Sequence, residues 1–125
     1  MADWASVEKY IKGKYVVAEQ DGDWLFLDFD LGQGRGQRVM ITTTGNLVQF
    51  LSPFATLDDV SIEQVFAAMR AESILFGITG VNDMLLVTHS QLLDTADQEE
   101  VDFGIQLVTD SADRLERLLS RRDRY

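Results

Sequence analysis

Few side chains in this chain have the type and spacing that chemistry needs. Asp28 and Asp30 lie two apart in Trp24-Leu25-Phe26-Leu27-Asp28-Phe29-Asp30-Leu31. On a strand such residues share a face, where paired carboxylates can hold a divalent cation or exchange protons. A calcium loop needs more oxygens and a closing glutamate, which do not follow, so a solvated strand end is the simpler reading. His89 is the only histidine. One imidazole without cysteines builds no zinc site, and its neighbour Ser90 lacks the Gly-x-Ser-x-Gly setting of a nucleophile elbow. Gly32-Gln33-Gly34-Arg35-Gly36 can be drawn as a phosphate cradle. Such a loop needs a helix N-terminus after it, or a Lys-Ser/Thr pair; here a strand pattern follows, as it would after a hairpin loop. No catalytic, metal-ligating or cofactor-binding residue is assigned on these grounds.

Four aromatics suggest binding instead. Trp24 and Phe26 fall on the strand face opposite Leu25, Leu27, Phe29 and Leu31. With Phe50 and Phe54 they are candidate partner-binding residues, since a contiguous exposed aromatic patch marks a protein interface. The competing reading buries them under the first or second helix, the commoner fate of aromatic side chains.

The elements that must position these residues follow from period and punctuation. Trp4, Val7 and Ile11 share one face of an opening helix that Asp3 can cap and Gly13 can end. A strand is expected over 15–19, then a turn at Asp21-Gly22 and a second strand from Trp24 to Leu31. Strands over Arg38–Thr43 and Leu47–Leu51 are joined at Gly45-Asn46, and Pro53 is expected to end the sheet run. Ser61 and Gln64 form a capping box, with Val60 and Val65 as its staple. The helix they open carries Ile62, Val65, Phe66 and Met69 as its apolar face and stops near Glu72. A hairpin over Ser73–Thr79 and Asp83–Thr88 turns at Gly80-Val81-Asn82-Asp83.

Val101, Ile105, Val108, Ala112, Leu115 and Leu119 are spaced as one stripe of a long final helix, launched by Thr95 or Asp97. The seam is too short for a sustained coiled coil, so the helix should lie on its own sheet, with Ala112 allowing close approach. Acids open that helix and five of the eleven basic residues close it, which suits its dipole; Asp110–Arg114 and Asp113–Arg117 are favourable pairs. Together these predict a single α+β domain over residues 1–125: an antiparallel sheet with helices packed on it, in the order α-β-β-β-β-α-β-β-α.

The formal charge of −10 excludes the basic footprint that nucleic acid or an anionic membrane requires. There is no cysteine, hence no disulfide frame or thiol nucleophile. With neither a signal-peptide pattern nor a membrane-length apolar run, a cytoplasmic location is expected.

The stretch Ser73-Ile74-Leu75-Phe76-Gly77-Ile78-Thr79-Gly80-Val81-Asn82-Asp83-Met84-Leu85-Leu86-Val87-Thr88-His89 resembles the hairpin that follows the second helix in the YbjN family. Asp113-Arg114-Leu115 is similar to that family's late Ala-Asp-aromatic region, with leucine where an aromatic is common. The family's fold is similar to that of type III secretion chaperones. The resemblance implies a compact, often dimeric α+β domain without a cofactor or catalytic residue. Its chaperone relatives hold partner segments on apolar patches. The expected function is therefore non-enzymatic protein binding, chaperone-like or regulatory, as a homodimer. The alternative is a small-molecule or nucleotide sensor using the Gly32–Gly36 loop.

Overall fold

A computed structural model describes residues 3–71 and 77–123, and side chains through residue 119. The elements run α1 (Trp4–Lys14), β1 (Glu19–Asp21), β2 (Trp24–Gly32), β3 (Arg35–Thr44), β4 (Leu47–Thr56), α2 (Ile62–Ala71), β5 (Ile78–Val81), β6 (Met84–Leu92) and α3 (Gln98–Asp123). The fold class and the element order are those expected. The strands form one antiparallel sheet in the order β1-β2-β3-β4-β6-β5. Residues 73–76, where the resembling hairpin begins, lie outside the described residues, as do the expected inward positions Ile74 and Phe76 and the expected helix end near Glu72.

Local chemistry sets the boundaries. The β2–β3 turn places both Gln33 (φ 57°) and Gly34 (φ 75°) in the left-handed region, the conformation that a two-residue hairpin loop demands. Strand pairing therefore resumes at Arg35, three residues earlier than the expected start at Arg38, and the glycine-rich loop shrinks to a tight turn. The first strand is also displaced, to Glu19–Asp21, with Tyr15 and Val17 packed against the core instead. Asp3 caps α1 through Ser6 N (2.8 Å). Ser61 and Gln64 exchange both bonds of the capping box at α2 (2.7 and 3.2 Å). Of the two candidates for α3, Asp97 is the cap, accepting from Glu100 N (2.8 Å).

All three helices lie on one side of the sheet. α3 runs along β3, β4 and β6, and α1 and α2 pack against α3. The expected seam is buried along its whole length, from Val101 to Leu119, over Leu25, Leu27, Val39, Ile41, Val48, Phe50 and Val87. Ala112 is fully buried in the seam, and the helix also comes close to the sheet at Gly104. A Cβ on Gly104 would sit 2.7–2.8 Å from three ring atoms of the fully buried Phe50, so only glycine lets the helix settle there. On α2 the buried residues are Val65 and Ala68; Ile62 and Phe66, expected on the inner face, point to solvent. That helix touches the core with a narrow stripe because it rests on α3 at the margin of the sheet.

β4 contains the largest departure. It runs on through Pro53 to Thr56. What ends near the proline is pairing with β3, whose last matched pair is Met40↔Leu51, while pairing with β6 continues to Thr56↔Met84 across a register shift at Pro53/Ala55. A residue without an N–H is tolerated where one neighbouring strand has already departed and the ladder is irregular.

Candidate functional site

The four aromatics named from the sequence do not form one patch. Phe50 is 0% exposed beneath α3 and Phe54 is 5% exposed, so neither offers a surface to a partner. Their strand positions turn them to the helix side, Phe50 opposite Ile41 and His89. Trp24 and Phe26 lie on the other side, against the expectation of burial under α1 or α2. Trp24 is 39% exposed and its ring stacks on that of the half-buried Phe26 (centroids 6.5 Å).

Registers place more residues on this second face. Phe26 pairs with Met40, and Met40 with Leu51. Pro53, Leu86 and Leu92 continue it across β4 and β6. Met40, Leu51 and Pro53 are half-buried and Leu92 is exposed. Leu86 is buried yet stands apart from the core that the helices build. The result is an apolar patch centred on Trp24, Phe26, Met40 and Leu51, separated from Leu92 by Thr42, Gln49, Thr88 and Ser90, with no helix over it among the described residues. Its margin is polar. Arg38 makes two bonds to Asp28 (2.8 and 3.0 Å), a third to Glu19 (3.2 Å), and lies over the Phe26 ring (5.2 Å to the centroid). The hydrogen bonds from Arg38 outweigh partial burial and lower the Asp28 pKa. Asp30 instead accepts from Gly32 N (2.8 Å) and braces the turn. The two aspartates thus have separate structural employments rather than a shared cation.

The other candidates resolve into packing. His89 faces the helix side, between the Phe50 ring (6.0 Å) and the edge of Phe103 (6.2 Å), and burial lowers its pKa. Within the Gly32–Gly36 loop, Arg35 turns to Asp113 of α3 (3.2 Å), which also holds Arg117 (3.3 Å). The loop is thereby pinned to the helix, with its one cation engaged. Asp110, expected to pair with Arg114, accepts two bonds from Gln106 instead (2.9 Å each). The remaining arginines of the tail, Arg121, Arg122 and Arg124, lie beyond the described side chains.

Two further groupings were not read from the sequence. Asp102 of α3 accepts from Tyr10 Oη (2.7 Å), Tyr15 Oη (2.7 Å) and Lys14 Nζ (2.6 Å), fastening α1 to α3. Burial alone would raise the Asp102 pKa, but the bonds from Lys14, Tyr15 and Tyr10 outweigh it and the net shift is downward. Burial, then the bond to Asp102, pushes Tyr15 up to about 12.

The second grouping is the notch where β3 and β4 diverge, a cavity of about 360 Å³. Gly36, Gln37 and Arg38 form one wall and Pro53, Phe54, Ala55 and Thr56 the other; Asp59, Val60, Met84, Glu116 and Leu119 complete it. The sequence held a faint clue to it: Ser52 and Gln37, both polar, at inward strand positions. Gln37 Nε2 donates to Ser52 Oγ (2.7 Å), and Ser52 Oγ donates to the Arg38 carbonyl (2.6 Å), so side chains bridge the gap that the ladder leaves.

Among the described residues no helix is long and apolar enough to cross a membrane. No protein-family model and no curated protein matches the chain.

Proposed function

We propose that this protein is a non-enzymatic protein-binding domain of chaperone-like or regulatory type, and that it acts as a homodimer through the uncovered sheet face. One observation carries the reading: Trp24, Phe26, Met40 and Leu51 form an apolar patch, exposed or half-buried, on the side away from the helices. A sheet must cover such a face or use it. A second copy is the simplest cover because a two-fold contact matches the patch to itself, apolar centre on apolar centre. The YbjN-like resemblance of residues 73–89 points the same way, toward a dimeric domain with no cofactor.

Two chains of charge −10 repel, and salt screens this over a Debye length of about 8 Å at physiological ionic strength. Association should therefore strengthen as salt is raised. Light scattering of the purified chain should give the mass of two chains, and Leu51→Asp should give the mass of one while the circular dichroism spectrum is retained. A single-chain mass for the unaltered protein at every concentration and salt level contradicts the proposal.

A further inference from the structure

We infer that His89 and Gln91 form a proton-sensitive latch, which ties the start of α3 to β6 while the His89 ring is neutral and lets go when the ring takes up a proton. The latch lies on the helix side of the sheet, away from the Trp24–Leu51 patch, and goes beyond the protein-binding reading.

Gln91 holds two neighbours through one nitrogen. Its Nε2 donates to the Glu100 carbonyl (2.6 Å). Two oxygens would repel at that distance, so this bond fixes which end of the amide is nitrogen. An amide nitrogen carries two hydrogens and accepts nothing. Its contact with His89 Nε2 (3.3 Å) is therefore a bond only if the ring nitrogen accepts, which makes the ring neutral with its hydrogen on Nδ1. Oε1 of Gln91 has no partner among the described residues, so Nε2 alone anchors the side chain.

Protonation takes this arrangement apart. Imidazolium donates from both nitrogens, so an N–H would face the N–H of Gln91. Turning the amide over gives the ring an oxygen, but sets the same oxygen against the Glu100 carbonyl. No orientation of Gln91 serves both neighbours once the ring is charged.

The surroundings favour the neutral ring. His89 packs between the fully buried Phe50 and the edge of Phe103. β4 has no ionisable side chain between Leu47 and Thr56, β5 none between Ile78 and Val81, and β6 none besides His89. The acids beside the latch are Asp94, Asp97, Glu99, Glu100 and Asp102. Asp97 caps α3, Asp102 is held by α1, and Glu100 meets Gln91 through its backbone. Asp94 and Glu99 are exposed, and among the described residues no carboxylate bonds to the ring. Burial lowers the His89 pKa, and a bond accepted at Nε2 acts in the same direction. With the folded value below the ordinary 6.5, the latch contributes fully above that pH and is lost as pH falls through the folded value.

Nuclear magnetic resonance between about pH 8 and 4.5, a range that brackets an ordinary histidine, tests the latch on the unaltered chain. His89 is the only histidine, so its ring signals stand alone. Nitrogen shifts at the upper end should place the hydrogen on Nδ1. As the ring titrates, exchange protection of the Val101, Phe103 and Gly104 amides should fall about three- to tenfold, the loss of one hydrogen bond, while Val108 and Leu115 keep theirs. Gln91→Leu should move the ring's titration upward and abolish the step in protection. The inference is overturned if the neutral ring carries its hydrogen on Nε2, if protection shows no step along the ring's titration, or if Gln91→Leu keeps the step.

Discussion

The two faces of the sheet are built from the same strands, yet they obey different rules. On the helix side, Leu25, Leu27, Val39, Ile41, Val48 and Phe50 are fully or almost fully buried, and one glycine in α3 is shaped to one phenyl ring. On the other side, Phe26, Met40 and Leu51 are half-buried, and Arg38 with Asp28 and Glu19 borders them. Alternation along a strand makes both faces at once, but only long-range packing decides which is sealed. The sealed face carries the core of the domain, and the other is the one for which we propose a contact role.

That contrast can be broken by truncating one aromatic on each side. Phe50→Ala should cost about 3–5 kcal/mol, as for other buried phenylalanines, and bring the domain close to unfolding. Trp24→Ala, tested under monomeric conditions, should cost below about 1 kcal/mol, because the residue leaves no cavity in the core. Urea denaturation of both variants measures the difference; equal losses would erase the distinction between the faces.

Gly104→Ala sharpens the account of how the sealed face closes. Alanine gains about 1 kcal/mol of helix propensity over glycine, so an exposed site would be stabilised. Here the methyl group meets the Phe50 ring, which has no free space to turn into, and a net loss of about 1–3 kcal/mol is expected. Thermal unfolding decides the sign.

A smaller effect concerns the seam between α1 and α3. The folded Asp102 pKa lies below its ordinary value of 3.8. Its pairing therefore contributes stability above that value, and the contribution disappears as pH falls through the lower folded value. Asp102→Asn should lower stability at neutral pH and flatten the acid limb of the stability curve below about pH 4. An unchanged acid limb in denaturation measured across that range would show that the three donors do not act on this carboxylate.

These contrasts were unequally legible in the sequence. The element order, the Ser61–Gln64 box and the Val101–Leu119 seam are local or periodic, and the chain fixes them by short-range rules. The fate of Trp24 and Phe50 was not local. Both are aromatics on strands, and only the pairing of Phe50 with Ile41 and the descent of α3 at Gly104 separate them. Pro53 showed that a ladder is interrupted, but the sequence does not say that one side of the strand departs while the other stays paired. The Asp102 hub joins residues 87 to 92 positions apart, and no spacing rule reaches that far.

The central claim, that the uncovered face is a contact surface, is tested most directly at Trp24. The chain has two tryptophans, and replacing Trp4 with phenylalanine leaves Trp24 as the sole reporter. Acrylamide quenching of its fluorescence should fall by about twofold or more between dilute and concentrated protein, across a range of about 1–100 µM that spans ordinary association constants. Quenching that is the same at both ends of that range would contradict the account.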